Sequence, residues 1–156
     1  MFTDYECYYC HQFFQETFPL INKNFIEKGV VQFYIKNFPS KSHYEGFKMA
    51  LLLSSIKNDS AFWKYHLEIM QSNTQLDSSC IHKIAKSENI NNIDLNKIFR
   101  DSLLLNKLNK EITFANNNGV YGIPAFSING KLFIGNRNAN DFITLIEKTL
   151  IEKEEN

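Results

Sequence analysis

Phe2-Thr3-Asp4-Tyr5-Glu6-Cys7-Tyr8-Tyr9-Cys10 opens the chain, and the setting of its two cysteines decides the fold. Phe2 to Tyr5 read as a short strand. Beyond the cysteines, Phe14, Phe18, Ile21 and Phe25 recur at offsets of 0, 4, 7 and 11, an apolar stripe along one face of a helix. A strand that turns into a helix at Cys7 puts that residue at the helix amino terminus. Unpaired N–H groups and the positive end of the macrodipole favour a thiolate there. Such a setting lowers a cysteine pKa from ~8.5 into the range ~3.5–7.5. Cys10 lies one turn further in, within disulfide reach and more buried. Cys7 is therefore expected to be the exposed, attacking thiol and Cys10 the resolving one.

Working outward, Pro19 removes a helical donor and predicts a kink, and Lys28-Gly29 supplies a basic last turn and a C′ glycine. Val30 to Ile35 then reads as a strand buried on both faces, as in a parallel sheet. Strand, helix and strand make a βαβ unit of the usual ~30 residues. From 41 to 118 the periodicity is helical. Tyr44, Phe47 and Leu51 mark one helix, and Asp59 is the expected cap of a second carrying Phe62, Trp63, His66 and Met70. Further stripes run over 76–90 and 94–118, with an Asn-rich loop at 89–93, and Asn118-Gly119 closes the last of them. Sheet returns as Phe126-Ser127-Ile128 and Lys131-Leu132-Phe133-Ile134 around Asn129-Gly130, the strongest short hairpin signal. Asn138 is placed to cap a final helix with Phe142, Leu145, Ile146 and Leu150 on its apolar face, and Glu152 to Asn156 is expected to fray. The order is βα–β, helices, ββα. It predicts an α/β protein in which 1–40 and 119–156 form a thioredoxin-like domain and 41–118 an inserted α-helical subdomain.

Composition narrows the function. Seventeen basic and seventeen acidic residues cancel, and no Lys/Arg cluster is interleaved with aromatics, so no nucleic-acid partner is expected. No apolar run approaches the ~20 residues that span a bilayer. With 44 % apolar and 14 % aromatic residues the 156-residue chain has ample core material for one domain with an insertion. Three cysteines are an odd number, which argues against a purely structural disulfide framework.

The pair by itself leaves alternatives open. Cys7-Tyr8-Tyr9-Cys10-His11 formally matches a c-type haem attachment signature, and Cys7, Cys10 and His11 could be three zinc ligands. Against haem, His11 falls in the first helical turn of a βαβ unit. Against zinc, no fourth ligand stands at a convincing spacing. The second chemical feature is Gly122-Ile123-Pro124, directly before the hairpin. A proline opening a strand is either an ordinary trans start or a cis peptide, and a cis form would leave the Ile123 backbone free to pair with an extended substrate beside Cys7.

Three segments together carry a family resemblance. Asp4-Tyr5-Glu6-Cys7-Tyr8-Tyr9-Cys10, Ala61-Phe62-Trp63-Lys64-Tyr65-His66, and Gly119 to Gly130 with Gly122-Ile123-Pro124 at its centre resemble the DsbA-type thiol–disulfide oxidoreductases, in the right order and over nearly the whole chain. The resemblance implies that Cys7 is the nucleophile, Cys10 its buried partner and Pro124 a cis-proline preceded by Ile123. It implies no metal or organic cofactor, protein or peptide thiols as substrates, and a membrane quinone-linked oxidase for reoxidation. It further implies residence in the bacterial periplasm, although no signal peptide is present. The family's usual first strand is also missing, so the chain is expected to be truncated at its amino terminus. A reductase or isomerase on the same fold is the alternative. Tyr8-Tyr9 stands where DsbA itself carries Pro-His; fewer contacts to the thiolate imply a milder oxidant. Tyr8 and Tyr9, exposed beside the reacting sulfur in this fold, either contact substrate or are bystanders.

The remaining chemical residues have plainer readings. Cys80 and Trp63 are expected in the core, and His66 as a satisfied core histidine. His43 and His82 are expected on the surface, and His11 exposed near the active site. Asp4 is either a proton acceptor for Cys10 or a solvated, capping residue.

Overall fold

The computed structural model describes residues 1–72, 76–87 and 95–154. Strand β1 (Phe2–Thr3) leads through a turn into α1 (Tyr8–Gln12), a π-helical turn (Phe13–Thr17), α2 (Phe18–Ile21) and a second π-helical turn (Asn22–Ile26). The expected stripe is there: Phe14, Phe18, Ile21 and Phe25 are all buried. Instead of a simple kink at Pro19, the helix widens just before it, with the Phe18 N–H bonded to the Phe13 carbonyl. That widening accommodates a residue with no N–H of its own.

The second strand differs from expectation. β2 is only Lys36–Asn37, and residues 31–35 alternate between half-buried and exposed instead of being covered on both faces. The sheet has the order β2-β1-β3-β4, with β3 at Ala125–Ile128 and β4 at Lys131–Ile134. β2 is thus an edge strand, parallel to β1, which offers it the pairs Phe2↔Lys36 and Thr3↔Asn37. Phe33 points inward while Gln32 and Tyr34 face solvent, the one-sided pattern of an edge.

β3 runs antiparallel to β1, with Phe2 opposite Ala125, and forms the predicted hairpin with β4. Asn129 and Gly130 have φ of 46° and 88°, the left-handed pair that a two-residue hairpin turn requires.

Between β2 and β3 lie α3 (Tyr44–Ser54), α4 (Asp59–Met70), α5 (Ser78–Ser87), α6 (Leu95–Arg100) and α7 (Ser102–Asn117). The first of these, α3, buries Met49 to Leu53 and packs against the other four. Helix α4 is capped one residue earlier than expected, by Asn58, whose side chain accepts from the Ala61 N–H. The expected 94–118 helix is two helices, because the Asp101 carboxylate caps α7 through the Leu103 and Leu104 N–H groups. The expected loop at 89–93 lies outside the described residues. Asn138 caps α8 (Ala139–Glu154) through the Asp141 N–H, and that helix takes in the first three residues of the segment expected to fray, the last two of which lie outside the described residues.

The sheet is thereby covered on both faces. On one, Phe13 is fully buried with its ring against those of Phe14, Phe18, Phe33, Phe126 and Phe142. Each such ring contributes ~1.5–3 kcal/mol by leaving water. On the other, Phe2, Ala115, Val120 and Ala125 make a smaller cluster under α7. Among the described residues no helix is long and apolar enough to cross a membrane.

Candidate active site

Cys7 is the N-cap of α1, with extended backbone angles (φ −82°, ψ 111°), and its carbonyl accepts the N–H groups of Cys10 and His11. No side chain caps this helix, so the first-turn N–H groups are left to the sulfur. Cys7 and Cys10 are both free thiols. Cys7 reaches the surface only as an 8 % exposed side chain, less open than expected, while Cys10 is at 0 %.

The two thiols are electrostatically unlike. The Cys10 S–H donates to the Cys7 sulfur and lowers the Cys7 pKa. Partial burial and the Asp4 charge oppose this; the Cys10 and Tyr9 backbone N–H groups reinforce it. Cys10 is pushed up, first by burial and then by Cys7, although the side chain of Thr3 and the backbone of Asp4 act the other way. The thiolate therefore settles on Cys7.

The turn that delivers Cys7 is built by Asp4. Its carbonyl accepts the Cys7 N–H at 3.1 Å, and its carboxylate accepts the N–H groups of Glu6 (3.0 Å) and Ser40 (2.9 Å) and pairs with His43 Nδ1. Asp4 is fully buried and so is not solvated, but it is the capping residue that was the alternative: its carboxylate holds the turn and pairs with His43. Glu6 reaches the same helix, accepting the Gly46 N–H at 2.6 Å. A Cβ on Gly46 would press into Asp4 Oδ1 and lie 3.2 Å from Glu6 Oε2, so only glycine lets α3 seat this closely.

Tyr5 turns the opposite way. Its hydroxyl bonds His66 Nδ1 at 2.9 Å, deep in the protein. Burial lowers the His66 pKa to about 3, with His11 adding to the shift, and Nε2 has no hydrogen-bond partner among the described residues. His66 is thus a core histidine, as expected, but only half satisfied. The expected exposed His11 is half-buried and has Nε2 2.8 Å from the Tyr5 carbonyl. Among the described residues no three His, Cys, Asp or Glu side chains converge as metal ligands. Cys80 is half-buried against the core on α5, and His82 is exposed.

Tyr8 and Tyr9 are 72 % and 58 % exposed, their rings edge to face at 5.3 Å. The Ile123–Pro124 peptide is cis. The cis bond directly precedes β3, whose first residue, Ala125, pairs with Phe2 of β1, the strand that leads into the Cys7 turn. Tyr121, beside this segment, is 86 % exposed. The residues that the sequence reading missed are His43, Ser40, Glu6 and Gly46. Each acts across 36 to 42 positions of chain, and no local spacing announces such a contact.

The thioredoxin family matches residues 1–148. The catalytic domain of ScsC from Proteus mirabilis is 26 % identical, with a TM-score of 0.79 over 96 % of this chain and 81 % of that one. The α-DsbA1 of Wolbachia pipientis shares the fold at 19 % identity, with a TM-score of 0.80 over 97 % and 86 % of the two chains. Disulfide bond formation protein D of Bacillus subtilis (strain 168) is 34 % identical over 73 residues, 45 % of this chain but only 32 % of that protein. The match thus spans about a third of the curated relative's length. The fold is thioredoxin-like, a mixed sheet with helices.

Proposed function

The chain belongs to the thioredoxin family, and on that premise we propose that it is a DsbA-type thiol–disulfide oxidoreductase working through Cys7 and Cys10. One observation carries the reading: two adjacent thiols of opposite bias, the outer one at a helix amino terminus with its pKa lowered, the inner one fully buried with its pKa raised. In the oxidising direction a substrate thiolate attacks the Cys7 sulfur of the Cys7–Cys10 disulfide, and Cys10 leaves and takes up a proton. A second substrate thiolate then attacks the substrate sulfur of the mixed disulfide and expels Cys7 as a thiolate. The substrate loses two electrons and two protons, and the pair gains the electrons. A leaving group stabilised as a thiolate makes the last step fast.

Tyr8, Tyr9 and the Ile123–Pro124 segment are proposed to receive the polypeptide on either side of the substrate cysteine. Exposed aromatic surface at Tyr8 and Tyr9 supports this, as does the place of Ile123–Pro124 next to Ala125, which pairs with the strand that leads to Cys7. Residues 41–118 are proposed as an inserted helical unit that braces the turn through Asp4 and Glu6. Such chemistry belongs in an oxidising compartment, here the bacterial periplasm, with a membrane quinone-linked oxidase to restore the disulfide.

The test is equilibration with glutathione redox buffers together with single cysteine variants. The expected reduction potential is well above the thioredoxin value of ~−270 mV and short of the DsbA extreme of ~−120 mV. Cys7→Ala should abolish exchange and Cys10→Ala should trap mixed disulfides. A potential at the thioredoxin end would sink the oxidant reading, and a Cys7→Ala protein that still oxidised dithiols would overturn the assignment of roles.

A further inference from the structure

We propose that His43, from the helical segment, is the positioning residue whose imidazolium holds Cys7 as a thiolate, by offsetting the buried carboxylate of Asp4. The inference rests on the exchange reading above and deepens it. Cys7 emerges from a turn flanked by two carboxylates, Asp4 three residues before it and Glu6 next to it. Asp4 is completely buried and cannot be screened by water. An uncompensated carboxylate there disfavours a second negative charge on Cys7.

Among the described residues the ion-pair partner of Asp4 is His43, bonded through Nδ1. The same carboxylate holds the Glu6 N–H, and the same residue's carbonyl holds the Cys7 N–H. The imidazole is thus bonded to the side chain of the residue whose backbone carbonyl fixes the Cys7 N–H, which holds ring and cysteine on one turn. His43 is the N-cap of α3, and its partly exposed ring lines a groove of about 480 Å³ that it shares with Tyr5, Glu6, Tyr8, His11 and Glu16.

The other charged and titratable groups facing this corner do not do the same work. Glu6 is negative and committed to the Gly46 N–H. His11 has Nε2 on the Tyr5 carbonyl, and Glu16 takes the Gln12 amide. Cys10 is buried and serves as the S–H donor to Cys7. No histidine stands between the cysteines, where the chain has Tyr8-Tyr9. The coupling also runs in the reverse direction. Burial disfavours the charged ring, but Asp4, Glu6 and Cys7 outweigh it and raise the His43 pKa.

The test measures both ends of the coupling in the reduced full chain. Iodoacetamide alkylation of Cys7, located by mass spectrometry, is followed against pH in the wild type, His43→Asn and His43→Lys. Asparagine presents an N–H donor where Nδ1 stands but no charge, and lysine returns a charge. The expected midpoint for Cys7 rises by ~1 pH unit in H43N, the shift that an opposite charge at close range commands, and falls back in H43K. Linkage requires the reverse effect, so the His43 ring titration, read by NMR, should move down in Cys7→Ser.

An unchanged Cys7 midpoint in a folded H43N overturns the proposal. If H43N does not fold, the NMR titration decides, and an unmoved His43 in C7S overturns it equally. A wild type that fails to exchange with glutathione sinks the oxidoreductase reading itself. A wild type that exchanges normally, with neither midpoint coupled, sinks only the role of His43.

Discussion

Asp4 and Tyr5 are consecutive residues, yet they reach two different histidines of the helical segment between β2 and β3 and leave them in opposite states. His43 meets a buried carboxylate at a partly open groove, and its pKa is raised. His66 meets a neutral hydroxyl among the rings of Phe14, Phe62 and Trp63, and burial takes its pKa to about 3. The residue type is the same; the charge is set by what surrounds it. One corner docks the helices on the strand by charge, the other by apolar packing around a single neutral hydrogen bond. The charged corner holds the turn that carries Cys7, and the neutral one lies buried in the core.

The largest expected effect breaks the neutral corner with acid. The folded protein keeps His66 neutral down to about pH 3, whereas in the unfolded chain it takes its proton near 6.5. Its contribution to stability is complete above pH 6.5 and is lost as the pH falls from there toward 3. The loss is on the order of 4 kcal/mol. Urea unfolding of wild type and His66→Phe across that window should show the acid loss shrinking in the variant. An equal loss in both would mean that His66 is protonated in the fold.

A smaller effect asks whether the neutral corner is held by its hydrogen bond. Tyr5→Phe leaves His66 without its one partner and should cost ~1–3 kcal/mol in chemical denaturation. Tyr5→Phe combined with His66→Phe removes both polar atoms and should recover most of that loss. Full additivity of the two substitutions would show that the bond contributes nothing.

The smallest effect belongs to the charged corner and has the opposite sign. His43 has a raised pKa, so its contribution is complete below 6.5, the pKa of the unfolded residue, and is lost as the pH climbs through the folded value. About a third of its side chain is exposed, and solvent screening limits the contribution to under ~1 kcal/mol. His43→Asn should flatten this decline in stability as the pH rises above 6.5. A decline of unchanged slope would mean that another group causes it.

Much of the architecture could be read from local pattern. The cysteine pair at a helix start, the aromatic stripe of Phe14, Phe18 and Phe25, the Asn129-Gly130 hairpin and the Asn138 cap all depend on neighbours within a few positions. Where reading failed, a distant partner decided. Val30 to Ile35 is apolar enough for a central strand, but its place at the sheet edge leaves one side wet. Cys7 was expected to stand open, and the fold packed around it covers most of its side chain. His43 was expected on the surface, and only the fold brings it to Asp4, 39 residues away.

The sequence by itself determined the order of elements and the placing of one cysteine at a helix start with the other a turn behind it, because helix termini and periodic faces are local properties of the backbone. Only the tertiary structure decided which charges stand beside Cys7. Electrostatic environment is the sum of groups brought together from distant parts of the chain, and in a buried corner such as that of Asp4 it is too strong for solvent to erase.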